Sequence, residues 1–112
     1  MAHRARTACP LLVAVLAACT AVSSLAADEA HDPNLGRDLA ASCAMCHGTD
    51  GNSAGIIPSL AGRPAKELAE TVKLFREGEK PATIMGQIAK GYTDAQIDAI
   101  AAYFSDQRPA AK

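Results

Sequence analysis

The chain is poor in aromatic residues, with two Tyr, two Phe and no Trp among 112 residues. It also lacks an excess of charge of either sign, since 11 Lys and Arg face 12 Asp and Glu for a formal net charge of −1. This balance excludes the strongly basic surface that is typical of nucleic-acid binders. The scarcity of aromatics predicts that something other than stacked aromatic side chains fills the core. The length predicts a single domain.

No apolar run long enough to span a membrane follows the N-terminal region, since a span needs about 20 consecutive apolar residues. At the N-terminus itself, two arginines precede the apolar segment 11–18, and small residues follow at positions 24 and 26. This order is typical of a secretory signal peptide. We therefore predict a cleaved leader over residues 1–26 and an exported domain over residues 27–112, located in the periplasm.

The leader also contains an alternative processing signal. Leu16-Ala17-Ala18-Cys19 resembles the lipobox of bacterial lipoproteins, in which the cysteine becomes a lipidated N-terminus. Processing at this site would anchor the protein to a membrane through Cys19. Apolar residues continue beyond Cys19 as far as Leu25, as in a longer ordinary signal peptide, and we therefore favour cleavage after Ala26.

Two of the four cysteines stand in the pentapeptide Cys43-Ala44-Met45-Cys46-His47. This Cys-x-x-Cys-His spacing is the pattern of haem attachment. Thiols at this spacing can add across the two vinyl groups of one porphyrin edge, and the next residue then places its imidazole beneath the iron. The motif predicts one covalently attached haem c, with His47 as an iron ligand.

Other interpretations of the motif fit the sequence less well. A disulfide between Cys43 and Cys46 is compatible with export, but a redox-active Cys-x-x-Cys motif is expected in a βαβ context. A zinc site requires a second pair of ligands. The sequence after His47 contains neither His nor Cys, so it offers no such pair.

A second axial ligand for the iron must come from elsewhere in the chain. His31 lies near the predicted mature N-terminus, where an exposed tail residue is expected. Met45 stands between the anchoring cysteines, on the side of the ring that His47 already occupies. Met85 is free to reach the opposite face, and Gly86 lets the backbone approach closely. We favour His47 and Met85 as the axial ligands, a pair that raises the reduction potential.

Apolar periodicity and capping residues predict three helices. Asp32-Pro33 opens the first helix, which leads down to Cys43. The second opens at Arg63-Pro64 and ends at Gly78, and the capping box Thr93-Asp94-Ala95-Gln96 opens the third. The residues predicted to face inward are Leu35, Leu39, Ala65, Leu68, Val72, Phe75, Ile97, Ile100, Ala101 and Phe104.

Residues 48–62 lack helical periodicity. They are rich in glycine and polar turn residues, so they are predicted to form a loop. No strand-like alternation appears in the sequence, and the predicted fold class is all-α. The charged residues on the outer face of the second helix are expected to be solvated: Lys66, Glu67, Glu70, Lys73, Arg76 and Glu77.

Taken together, residues 33–106 resemble a class I c-type cytochrome. Gly36-Arg37-Asp38-Leu39 is similar to the family's N-terminal helix, whose glycine allows close crossing by the C-terminal helix. Tyr103 and Phe104 match the aromatic end of that C-terminal helix. The resemblance implies a small cytochrome c fold, in which helices wrap around one covalently attached haem.

The same resemblance assigns a role to a proline in the predicted loop. Pro58-Ser59-Leu60-Ala61-Gly62 resembles the family's proline-containing segment, in which the proline carbonyl accepts a hydrogen bond from the haem-ligating imidazole. Carried over to this chain, the Pro58 carbonyl would orient His47 and fix its tautomer, as partners of metal-ligating histidines do.

A narrower resemblance covers residues 74–79 and 82–92. These segments are similar to the cytochrome subunits of flavocytochrome c sulfide dehydrogenases, in which the cytochrome takes electrons from an FAD subunit that oxidises sulfide. The resemblance implies an FAD-containing flavoprotein as donor and redox-partner cytochromes as further partners. Several members of that group carry two haem domains, whereas this chain has one Cys-x-x-Cys-His motif.

The predicted coordination leaves three functions open. Two protein ligands on the iron favour one-electron transfer, with no catalysis by this chain alone, either as the haem subunit of a flavoprotein or as a free-standing shuttle. If Met85 were weak or displaced, an open distal site would instead suit a haem enzyme or a ligand sensor.

Overall fold

The computed structural model describes residues 32–111, and these residues form four α-helices and no β-strand. This architecture confirms the predicted all-α fold. In chain order the helices are α1 (Leu35–His47), α2 (Ala65–Glu77), α3 (Met85–Ile88) and α4 (Asp94–Asp106).

Several features of the sequence lie outside the described residues. They are the predicted leader over residues 1–26, the alternative lipid-attachment site at Cys19, and His31. Of the predicted domain over residues 27–112, the structure describes Asp32 to Ala111. Within that range, every helix is too short or too polar to cross a membrane.

The first helix begins later than its capping pattern predicts. The carboxylate of Asp32 accepts a hydrogen bond from the Asn34 N–H at 2.8 Å, and its carbonyl accepts one from the Leu35 N–H at 3.1 Å. Asp32 and Pro33 therefore form a turn ahead of the helix, and Asn34 takes the N-cap position. The prediction was wrong because an aspartate side chain that caps a local turn competes with its use as a helix cap.

The two other predicted helices form as expected. Gly78 ends α2 in a left-handed conformation (φ 78°, ψ 9°), and its N–H donates to the Phe75 carbonyl at 3.2 Å. At the start of α4, the Thr93 hydroxyl accepts from the Gln96 N–H at 3.3 Å, and the Gln96 side chain accepts from the Thr93 N–H at 3.0 Å. Both capping predictions are confirmed.

The core that α1, α2 and α4 enclose is small. Phe104 and Ile97 are the largest fully buried side chains among the described residues. Five of the nine buried apolar residues are alanines, so the helices approach closely and bury little side-chain volume. The nine are Ala40, Ala61, Leu68, Ala69, Ala89, Ile97, Ile100, Ala101 and Phe104.

The crossing of α1 and α4 depends on Gly36. A Cβ atom built at this position would lie 2.5 Å from the Ala99 carbonyl oxygen and 3.3 Å from the Cβ of Tyr103. The first of these distances is too short for any Cβ atom and involves backbone, which cannot swing aside. The close helix crossing implied by the cytochrome resemblance is therefore confirmed.

We predict that Gly36→Ala destabilises the protein. Overpacking costs about 1–3 kcal/mol, which exceeds the gain of about 0.5–1 kcal/mol from replacing a helical glycine with alanine. Urea denaturation of the haem-loaded protein measures the difference. Gly55→Ala is the matched control, because a Cβ there meets no atom within 4 Å. Equal urea midpoints for the two variants would contradict the claim that the crossing of α1 and α4 requires glycine at position 36.

Two basic residues of α2 are not fully solvated, contrary to the sequence prediction, because each forms an ion pair with α4. Lys73 donates to the Asp98 carboxylate at 2.8 Å, and Arg76 lies 2.7 Å from the Asp94 carboxylate. Arg76 also donates to the Tyr92 carbonyl at 3.3 Å. The hydrogen bond from Arg76 holds the pKa of the Asp94 carboxyl below its ordinary value. These contacts tie α2 to the start of α4, which sequence periodicity could not reveal.

Candidate haem site

The last turns of α1 carry the Cys-x-x-Cys-His motif. Cys43 is half-buried, Cys46 is exposed, and no disulfide joins them. His47 is the final residue of the helix. Residues three and four positions apart share a helix face, so both sulfurs and the imidazole are carried on one side of α1.

The Cys43 thiol is not set up as a reactive thiolate. Burial is the largest influence on this group and raises its pKa, while a hydrogen bond with the Ser42 hydroxyl opposes that shift. Redox-active cysteines have lowered pKa values in polar, electropositive surroundings. The all-helical surroundings also lack the βαβ context of a Cys-x-x-Cys redox motif. Both observations favour the haem interpretation over a redox-active dithiol.

Gly48 ends α1 immediately after His47 and reverses the chain. Its backbone (φ 84°, ψ 161°) is in a region that favours glycine, and its N–H donates to the Ala44 carbonyl at 2.9 Å. A Cβ atom at Gly48 would lie 2.0 Å from the Asn52 carbonyl oxygen. The sharp turn leads into residues 48–62, which we call the proximal loop. Apart from a 3-10 turn at Thr49–Gly51, this loop has no helix or strand.

The proximal loop brings Pro58 to His47. The Nδ1 atom of His47 lies 2.6 Å from the Pro58 carbonyl oxygen. A carbonyl oxygen can only accept, so Nδ1 carries the proton and donates it. In the neutral ring, Nε2 is then the nitrogen whose lone pair is available to a metal ion.

Backbone hydrogen bonds inside the proximal loop hold this arrangement. The N–H groups of Leu60 and Ala61 both donate to the Gly51 carbonyl, at 2.8 and 3.2 Å. The Ser53 N–H donates to the Ser59 hydroxyl at 3.0 Å. Ser59 directly follows Pro58, so these bonds join the early part of the loop to the residues just after the carbonyl that meets His47.

Met85 lies on a separate element from the Cys-x-x-Cys-His motif. It is half-buried and begins α3, which packs against α2. A Cβ atom at the neighbouring Gly86 would meet only the Phe75 carbonyl oxygen, at 3.5 Å. That is ordinary van der Waals contact, so packing within the chain gives no reason for glycine at this position. Met45, between the two cysteines, is 87% exposed.

A contact that sequence reasoning missed joins α1 to the segment after Met85. The hydroxyls of Ser42 and Tyr92 share a hydrogen bond of 2.7 Å. Ser42 directly precedes Cys43, and Tyr92 follows the 3-10 turn Ala89–Gly91 that continues from α3. No local pattern connects two residues so far apart in sequence.

The residues present fit a haem group. Two thiols at the attachment spacing and an imidazole with a fixed tautomer are the groups that can attach haem c and offer a nitrogen to its iron. Four of the large apolar side chains that protein covers incompletely lie in the proximal loop, in α2 and around Met85, and they offer hydrophobic surface to a porphyrin. They are Ile57 (38% exposed), Leu74 (37%), Ile84 (61%) and Ile88 (38%).

Comparison with known proteins gives the same assignment. A family model described as cytochrome c matches residues 34–107. The chain is 45% identical over 71 residues to the cytochrome subunit of sulfide dehydrogenase from Chlorobaculum tepidum. It is 40% identical over 82 residues to cytochrome c-554(548) from Halomonas halodenitrificans, and 40% identical over 75 residues to the thiosulfate dehydrogenase electron acceptor from Thiomonas intermedia.

The extent of these matches differs between relatives. The match to the sulfide dehydrogenase subunit covers 63% of this chain and 64% of that relative. The match to cytochrome c-554(548) covers 70% and 99%, and the match to the thiosulfate dehydrogenase electron acceptor covers 65% and 35%. The family model, in contrast, covers most of the chain, from the start of α1 to the end of α4. Because that match includes the attachment motif and every described helix, the chain belongs to the cytochrome c family of electron-transfer proteins and carries covalently bound haem c.

Proposed function

We propose that this chain is a periplasmic electron-transfer protein in which His47 and Met85 ligate the iron of one haem c. We propose further that its electron donor is the FAD-containing subunit of a sulfide dehydrogenase. Haem c supplies a one-electron couple when bound. Attachment through Cys43 and Cys46 would fix that group to the end of α1.

The hydrogen bond between His47 and Pro58 carries the ligation proposal. It places the proton on Nδ1, so that the lone pair of Nε2 is available to a metal ion. Because Nδ1 faces the proximal loop, this lone pair is directed away from the loop. Partners of this kind orient metal-ligating histidines and raise their basicity.

The role proposed for Met85 is to occupy the second axial position. The thioether stabilises the reduced iron and raises the reduction potential. It also keeps small external ligands from the metal, which favours electron transfer over catalysis or ligand sensing. In support, Met85 is half-buried at the start of α3, which packs against α2, whereas Met45 is exposed to solvent.

The names of two relatives support a sulfur-compound dehydrogenase as the donor. One relative is the cytochrome subunit of a sulfide dehydrogenase, and another is the electron acceptor of a thiosulfate dehydrogenase. Residues 74–79 and 82–92 resemble the sulfide dehydrogenase group, which favours a flavoprotein donor. Export by the leader over residues 1–26 would place residues 27–112 in the periplasm.

A free-standing electron shuttle is the second candidate. It is favoured by the relative cytochrome c-554(548), 99% of whose length is covered by the match to this chain. The match therefore extends over nearly the whole of this shorter relative, and the similarity does not require a fixed partner subunit.

Purification of the tagged protein from its native source separates the two candidates. We expect a stably bound protein that releases FAD on acid denaturation, and haem reduction when sulfide is added to the complex. The control is the cytochrome alone, dissociated from the complex with salt, which corrects for direct reduction by sulfide. Absence of flavin, or reduction by thiosulfate and not by sulfide, would contradict the flavoprotein donor. Absence of flavin would favour the free shuttle.

A further inference from the structure

The side chain of Asn52 joins the proximal loop to the segment that follows α4, residues 107–111. Its Nδ2 atom donates to the Arg108 carbonyl at 3.1 Å, and its Oδ1 atom accepts from the Ala110 N–H at 2.6 Å. One amide therefore satisfies two backbone groups on the same short segment. We infer that Asn52 is a positioning residue that acts on His47 by clasping segment 107–111 to the proximal loop.

A second contact places the same segment against the other end of the loop. A Cβ atom at Gly62 would lie 2.6 Å from Cγ and 2.9 Å from Cδ of Pro109. The Gly62 N–H donates to the Phe104 carbonyl at 2.9 Å. Segment 107–111 is thus held at both ends of the proximal loop, by Asn52 near its start and by Gly62 at its end.

Hydrogen bonds continue from the clasp to the imidazole. Ser53, next to Asn52, donates its N–H to the Ser59 hydroxyl at 3.0 Å. Ser59 follows Pro58, whose carbonyl accepts from Nδ1 of His47 at 2.6 Å. A displacement of Asn52 would therefore be transmitted to the Pro58 carbonyl over a short path of directly bonded or hydrogen-bonded groups.

The part of the loop around Pro58 depends most on such a restraint, because the buried residues Gly51 and Ala61 lie away from it. The loop contains several glycines and no helix beyond one 3-10 turn, so fixing its flexible backbone costs conformational entropy. Pro58 and Ser59 are exposed, so burial does not hold them in place. The clasp supplies a fixed point on the helical core, through α4, and so limits the movement of the Pro58 carbonyl.

The consequence concerns the reduction potential, and it rests on the proposed ligation of iron by His47. A hydrogen bond from Nδ1–H to a carbonyl raises the basicity of a ligating imidazole, which favours the oxidised metal. Loosening of the Pro58 contact weakens that effect. Loss of the clasp is therefore expected to raise the potential.

Two substitutions test the clasp from opposite sides without changing charge. Asn52→Ala removes both hydrogen bonds, and Ala110→Pro removes the N–H donor on the exposed segment. In the haem-loaded protein, both are expected to shift the reduction potential upward and to speed exchange of the His47 Nδ1–H proton. Exchange should be about fivefold faster for each hydrogen bond lost. The double variant should resemble Asn52→Ala, because both changes disrupt one interaction.

Asn34→Ala is the matched control, since the Asn34 side chain makes no capping hydrogen bond. It should alter neither the potential nor the exchange rate. If Asn52→Ala and Ala110→Pro lower only the stability and leave both readouts unchanged, Asn52 is merely structural and the inference is overturned. Ala110→Pro provides the decisive result if Asn52→Ala does not fold. Failure of the His47 ligation itself would already be visible in the unsubstituted protein, whose imidazole resonances would lack the shifts of an iron ligand.

Discussion

Replacing Met85 with alanine is expected to leave haem attached while lowering the reduction potential by on the order of 0.1 V, within the range of about 0.8 V that axial ligands control. The attachment persists because Cys43 and Cys46 belong to α1 and not to α3. The potential falls because the thioether stabilises the reduced iron. Spectroelectrochemical titration measures the shift.

Met45→Ala is the matched control, because Met45 is 87% exposed and lies between the attachment cysteines. It should keep the potential, and it should keep the weak absorption band at the near-infrared edge that arises from the sulfur–iron bond. Met85→Ala should lose this band and bind cyanide and carbon monoxide rapidly. If Met85→Ala retains the unsubstituted potential, Met85 is not a ligand. If the unsubstituted protein itself lacks the sulfur–iron band, the result would favour a haem enzyme or ligand sensor over an electron-transfer protein.

Replacing both attachment cysteines, Cys43→Ala with Cys46→Ala, is expected to abolish covalent haem and leave a largely unfolded chain. A domain of this size buries too small a fraction of its surface to be stable without added support. The described core confirms how little the chain supplies: its largest fully buried side chains are Phe104 and Ile97, and most other buried residues are alanines. Covalent haem would therefore supply much of the apolar contact.

Two measurements check this prediction. Extraction with acidified acetone should remove any haem from the double variant and none from the unsubstituted protein. Circular dichroism should show loss of most helical signal and of cooperative melting. Met45→Ala again provides the control, because it alters the same pentapeptide and leaves both sulfurs. A compact variant that melts cooperatively without haem would show that the protein core suffices.

Local sequence patterns determined much of the fold. The helical period and the caps at Gly78 and Thr93 define α2 and α4, because these signals arise within one or two turns of helix. The Cys-x-x-Cys-His spacing is equally local, so the haem assignment needs no tertiary information. The start of α1 could not be predicted in this way, because Asp32 can cap either a turn or a helix and here its side chain caps the turn.

Tertiary structure alone revealed several further contacts between distant groups, beyond the His47–Pro58 contact and the Gly36 crossing that the resemblance implies. The bond of Asn52 to segment 107–111, the hydrogen bond between Ser42 and Tyr92, and the ion pair of Arg76 with Asp94 each depend on how the helices and the proximal loop pack. No periodic or capping signal pairs any of these residues with its partner. The sequence by itself thus determined the helices, the attachment chemistry and the family resemblance, whereas packing determined the support of the His47 site. The physical reason is that a hydrogen bond between distant residues forms only after loop conformation has been fixed, and loop conformation carries no repeating pattern.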